Sequence, residues 1–96
     1  MKTLADFKKV IQSCITHQLR MKSTVKDKDG KIIRENSFAP VVHLQSNSFA
    51  LERNGVKSWA EFHKASAWSF DKGTATRQML DGTLTFELEL PEFLGL

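Results

Sequence analysis

A single cysteine and two prolines are all that a chain of 96 residues holds of these types. Cys14 alone can form neither an intrachain disulfide nor a cysteine-based zinc site, so stability has to come from packing. No apolar run approaches the roughly 18 residues that span a bilayer. The opening MKTLADFKKVIQ carries Asp6, Lys8 and Lys9 where a signal peptide needs an unbroken apolar stretch. These absences predict a cytoplasmic chain with no membrane partner. Internal repeats, low-complexity tracts and linkers rich in Pro, Gly or Ser are also missing. Residues 1–96 therefore read as a single domain, whose 41% hydrophobic content can bury one modest core.

The formal charge of +3 hides an asymmetry. Residues 1–48 carry nine Lys/Arg against four Asp/Glu, whereas residues 49–96 carry five against seven. The first half is basic and the second acidic, which permits an anionic partner without requiring one.

What is present is mostly periodicity. Leu4, Phe7, Val10, Ile11, Cys14 and Ile15 recur at helical spacing and form one apolar stripe. Thr3 can cap it, with Asp6 in place of the usual capping-box Glu. The spacing predicts a helix from about residue 3 to 17. From Leu19 the period becomes two: Leu19, Met21, Ser23 and Val25 alternate with Arg20, Lys22, Thr24 and Lys26, as in a strand with one face buried. DKDGK makes a turn, Ile32 and Ile33 begin a returning strand, 35–40 reads as loop, and Val41 to Ser46 supplies a further strand.

Asn54-Gly55 raises a choice, because Ser58-Trp59-Ala60-Glu61 also spells a helix capping box. Cross-strand pairing favours a hairpin. A type I′ turn opposes Arg53 with Val56, Glu52 with Lys57, Leu51 with Ser58, Ala50 with Trp59 and Phe49 with Ala60, matching charges and setting large against small. A helix from Trp59 would offer only Trp59 and Phe62 as bulky apolar residues. A short helical turn is expected at 63–67. In the hairpin Trp59 shares a face with Lys57, Glu52 and Glu61, so it is either a contact residue or covered by the tail Leu90-Pro91-Glu92-Phe93-Leu94. Leu84, Phe86, Leu88 and Leu90 alternate in the most regular strand, after a turn at Asp81-Gly82. That turn would pair Met79 with Leu84, Arg77 with Phe86 and Ala75 with Leu88. Arg77 then faces the apolar side, through a register slip or as a rim residue whose stem packs while its head reaches water. Trp68 and Phe70 add to the core. The expected fold is α+β: an N-terminal amphipathic helix on a twisted antiparallel sheet of about five strands, open or curled into a small barrel.

Catalytic signatures are sparse. His17, His43 and His63 fall in a helix end, a strand and a loop, with no Cys or Asp at ligand spacing, so neither metal nor cofactor is expected. Cys14 and His17 stand one helical turn apart, but Cys14 lies on the apolar stripe and reads as core. KDKDG lacks the remaining ligands of a calcium loop. Phosphate-binding glycine loops and Gly-x-Ser-x-Gly are absent. The chain reads as non-catalytic.

Binding remains. Arg20, Lys22, Lys26, Lys28, Lys31 and Arg34 gather on or near the first hairpin and, with Lys57 and Trp59, are the candidate contact residues. A solvated outer face that discourages edge-to-edge pairing accounts for the same lysines. No compact row of aromatics accompanies them, which weakens a nucleic-acid reading.

The stretch VVHLQSNSFALERNGVKSWAEFHKA, residues 41–65, resembles a segment of short phage and prophage accessory proteins, through the Asn-Gly turn, Lys57-Ser58-Trp59 and Lys64-Ala65. The resemblance covers about a quarter of the chain and includes no catalytic signature. It implies a small phage protein of the class that includes anti-CRISPR inhibitors, binding a host protein or a ribonucleoprotein complex such as a CRISPR effector. Some of that class mimic DNA with acidic surfaces, and this basic chain departs from them. Three expectations result: an inhibitor of a host defence complex, a small DNA- or RNA-binding module of phage replication or regulation, and, most remotely, an enzyme using a histidine.

Overall fold

A computed structural model describes residues 1–96. The helix α1, Leu4–His17, runs where its stripe predicts. Thr3 and Asp6 close a reciprocal capping box, with Asp6 N–H on the Thr3 hydroxyl and Thr3 N–H on the Asp6 carboxylate. The backbone N–H groups of Lys2 and Thr3 hold the Asp6 carboxyl below the ordinary carboxylate range. Gln18 ends the helix in the left-handed conformation, φ 56°.

Eight strands follow: β1 Arg20–Asp27, β2 Ile32–Glu35, β3 Ala39–Leu44, β4 Ser48–Arg53, β5 Val56–Glu61, β6 Trp68–Phe70, β7 Thr74–Met79 and β8 Gly82–Leu88. They form one antiparallel sheet in the order β5-β4-β3-β1-β8-β7-β6, with β2 attached to β1 alone. The fold is α+β, with a helix packed on an antiparallel sheet, but the strands number eight rather than about five, and no ladder joins β5 to β6 to close a barrel. The surplus comes from short strands. The returning strand expected from Ile32 and Ile33 is β2, and the strand that did not announce itself is β6, whose three residues are too few to show alternation. The segment read as loop from 35 to 40 is shorter, because β3 begins at Ala39 and runs through Pro40.

Both hairpins can be checked residue by residue. Asn54 and Gly55 take φ 52° and 77°, as a type I′ turn requires, and all five expected pairs from Arg53↔Val56 to Phe49↔Ala60 are formed. Trp59 lies in a strand, not a helix. The second hairpin turns one residue earlier, at Leu80-Asp81, so each partner shifts by two, giving Met79↔Gly82, Arg77↔Leu84 and Ala75↔Phe86. Gly82 is thereby the first residue of β8, not a turn residue. A Cβ there would stand 1.9 Å from the Lys26 carbonyl oxygen, so only glycine lets β8 start against β1. A shift of two preserves the faces. Arg77 therefore does point inward, and its guanidinium reaches out to donate to the Glu61 carbonyl. Together with the Trp68 indole, which donates to the Phe62 carbonyl at 2.5 Å, it ties the two unpaired edges where a ladder would otherwise close the sheet.

The concave face of this sheet holds the core. Phe7 projects from α1 into a cluster of Phe49, Phe62, Trp68, Phe70 and Phe86, with ring centroids 5.2 to 6.4 Å from its own. Ile11 and Cys14, also on the stripe, pack in the same cluster with Met21, Val41 and Leu88. The helix covers one end of the concave face only.

Candidate functional site

The strand β1 is flanked on one side by β8 along its whole length, and on the other by two different strands end to end. Its first residues pair with β3, at Arg20↔Pro40 and Met21↔Ala39, and its last with β2, at Thr24↔Glu35 to Lys26↔Ile32. Because β4 pairs with β3 and β5 but not with β2, the sheet is split on this side. A cleft of about 220 Å³ opens in the split. Its floor is Leu51, Leu84 and Phe86, of which Leu51 and Phe86 are only 3% and 4% exposed. Arg34 and Asn36 stand on the β2 side, Arg53 and the Ser58–Ala60 stretch on the other.

Two neighbours fix its polar groups. Asn36 is clamped to Ser23 twice: its backbone N–H bonds the Ser23 carbonyl at 2.9 Å and its side-chain amide donates to the Ser23 hydroxyl at 3.0 Å. Ser23 is 8% exposed, the one buried polar residue in a strand whose other inward positions are apolar. Arg53 donates through Nε and Nη2 to the Ser37 carbonyl at 3.2 and 2.5 Å, so its guanidinium is positioned by a neutral acceptor rather than by a carboxylate.

The expected contact residues divide into two groups. Arg20 forms a two-pronged pair with Glu89, 2.6 and 3.1 Å, and Lys22 meets Glu87 at 3.3 Å, so β8 and the residue that follows it offset both charges. Sequence reading saw the basic row but not the acidic row beside it, because the partners lie 69 and 65 residues away in the chain. Lys26, Lys28, Lys31 and Arg34 enter no ion pair, the third and last of which joins His63 to Glu61 at 3.5 Å. They crowd the β1–β2 arm, where the Asp27 carboxylate accepts from the Asp29 and Lys31 backbone N–H groups and so shapes the tip. Ile32 and Ile33, 51% and 64% exposed, lie among them. A bulge opposite Val25 and Lys26, in which Ile33 of β2 is the extra residue, bends this arm.

Trp59 and Lys57 lie on β5, and Trp59 lines the same cleft as Arg34. The tail does not cover Trp59: Phe93 packs instead on His17 at the end of α1, with ring centroids 5.3 Å apart. Trp59 stacks on His43, centroids 5.9 Å apart and 15° from parallel. Ala50 lies between these two residues in the ladder, and the pair of rings buries it completely. Trp59 itself stays 47% exposed.

The three histidines are separated, on Phe93, on Trp59 and beside Glu61. No three His, Cys, Asp or Glu side chains are grouped so as to hold a metal ion. Cys14 does not meet His17 on a shared surface: the thiol is wholly buried, and burial pushes it up from 9.0 to about 11, away from nucleophile chemistry. No helix is long and apolar enough to cross a membrane. No protein family, curated protein or solved structure matches the chain.

The cleft residues Ser23, Asn36 and Arg53 were not singled out in the sequence. Ser23 did carry a signal, as a polar residue at an inward position of an alternating strand. Asn36 and Arg53 carried none.

Proposed function

We propose that this protein is a non-catalytic binding protein that docks on an acidic protein surface through the β1–β2 arm, and that its partner is a host defence nucleoprotein complex. The observation that supports the docking is the concentration of unpaired charge on one projecting hairpin. Lys26, Lys28, Lys31 and Arg34 lie within nine residues of chain that also hold Asp27, Asp29 and the exposed Ile32 and Ile33, which leaves the arm with a net positive charge. Cations interleaved with aliphatic side chains suit a protein surface, where apolar contact supplies affinity and charge supplies orientation and on-rate. A single-stranded nucleic acid would want aromatic platforms, and the arm has none. The class of partner follows from the resemblance of residues 41–65 to phage accessory proteins. In that reading the protein acts by occupying the complex, as inhibitors of the anti-CRISPR kind do.

The test uses the full chain and a triple variant, K26E/K28E/K31E, which spares Arg34. Expression of the wild type in a host with active CRISPR immunity should restore phage plaquing, and the variant should not. Melting temperatures of the two should nearly coincide, since exposed charges contribute about 0.5 kcal/mol or less to folding. A variant that protects phage as well as the wild type would remove the arm from the interface. Salt-dependent binding to bare RNA or DNA, with a linear log–log slope, would replace the protein partner by a nucleic-acid one.

A further inference from the structure

The cleft between β2 and β4 offers an unusual set of groups. Its floor of Leu51, Leu84 and Phe86 is continuous with the hydrophobic core. Around that floor stand two guanidinium groups, on Arg34 and Arg53, and no carboxylate lines the cleft at all. Elsewhere on the same sheet Arg20 and Lys22 have each been given a glutamate. Here the charge is left unanswered.

The hydrogen-bond inventory points the same way. The Ser23 oxygen accepts from the Asn36 amide on one lone pair, and its O–H donates to no protein group, so its proton is available to an acceptor. Arg53 uses Nε and Nη2 on the Ser37 carbonyl and keeps Nη1 free, and the Arg34 head enters no ion pair. Donors of this kind, over an apolar floor, match an acceptor-only group attached to hydrocarbon. Guanidinium forks fit the planar carboxylate best. Size restricts the body of the ligand, since about 220 Å³ lies below the range of roughly 300–1,000 Å³ typical of sites for drug-sized molecules. A nucleotide, with base, sugar and phosphates, is too large and too polar for this floor.

We propose that the cleft is a binding site for a compact carboxylate with an apolar body. Arg34 and Arg53 take the carboxylate, the Ser23 hydroxyl supplies a further donor, and the hydrocarbon lies on Leu51, Leu84 and Phe86. Two sources carry this chemistry: a free organic acid, or the terminal carboxylate of a partner chain. The second source alone rests on the docking role of the arm, to which Arg34 also belongs.

The probes are 3-phenylpropionate and its amide, titrated into the ¹⁵N-labelled full chain. The acid should give saturable shifts at the amides of Ser23, Asn36, Ser58 and Leu84 with a Kd in about the millimolar range, and the amide should bind at least about tenfold more weakly. Arg34→Gln and Arg53→Gln should each weaken the acid by about tenfold or more. Arg34 makes no side-chain contact that folding depends on, so its variant remains informative even if Arg53→Gln loosens the Ser37 loop. The K26E/K28E/K31E chain should bind the acid as the wild type does, which separates this site from the arm. A phenylalanine-terminated tripeptide with a free rather than amidated C-terminus distinguishes the sources: tighter binding than the free acid assigns the cleft to a partner's terminus, weaker binding to a small molecule. Equal affinity for acid and amide, or no saturable shift with the acid, would overturn the proposal.

Discussion

The two ends of one sheet face are finished in opposite ways. At the end under α1, Phe7 fills the concavity and meets five aromatic rings, and Ile11 and Cys14 beside it are fully buried. At the end between β2 and β4, the same face continues through Leu51, Leu84 and Phe86, which line a cleft rimmed by Arg34 and Arg53, although Leu51 and Phe86 are themselves only 3% and 4% exposed. Phe86 belongs to both ends. The difference lies in what surrounds the apolar groups: a helix and aromatic rings at one end, arginines and an open cleft at the other.

The sharpest break in this comparison should come from Phe7→Ala set against Ser23→Ala. Removing Phe7 should cost about 3–5 kcal/mol by urea unfolding, the range for deleting a buried Phe. Losing the Ser23 hydroxyl should cost only about 1 kcal/mol, since Asn36 loses one neutral hydrogen bond near solvent. Comparable losses at the two positions would mean that the cleft is as much a part of the folding core as the helix end.

Cys14 probes the filled end by pH. Its folded value of about 11 lies above the 9.0 of an exposed thiol, so the unfolded chain ionises first and the folded state binds more protons between them. The stability this thiol contributes is therefore complete below about pH 9 and falls away as pH rises through the window up to about 11. Cys14→Ala should flatten that decline in an unfolding series. At pH 8 the native thiol should stay silent to Ellman's reagent and react on denaturation. Rapid native labelling would show that the helix end opens.

The smallest effect is expected at Trp59. Its ring is half exposed and lies on His43 above Ala50, so Trp59→Ala should cost about 1 kcal/mol, the stacking and the uncovering of one methyl. A loss of about 3 kcal/mol would class the ring with the core.

Local chemistry made much of this legible. The helix announced itself through a stripe and a capping box, and the Asn54-Gly55 hairpin through complementary pairs on either side of a turn that only positive φ can make. Such signals reach across a few residues. The second hairpin was legible in its faces but not its register, because parity survives a shift of two while the turn position does not. The site was less legible still. Six basic residues looked alike in the chain, and only the long-range ladder of β1 with β8 sorted Arg20 and Lys22, with their glutamates, from Lys26, Lys28, Lys31 and Arg34, without any.

What the sequence determined by itself is which side chains face inward and where the chain turns, since both are set by local periodicity and by backbone angles that few residues tolerate. What only the tertiary structure decided is which strand lies beside which. The placement of β2 and β3 end to end along one flank of β1, and the split that leaves Arg34 opposite Arg53, are settled by packing against α1 and by pairing between distant strands, for which no short stretch of sequence carries the information.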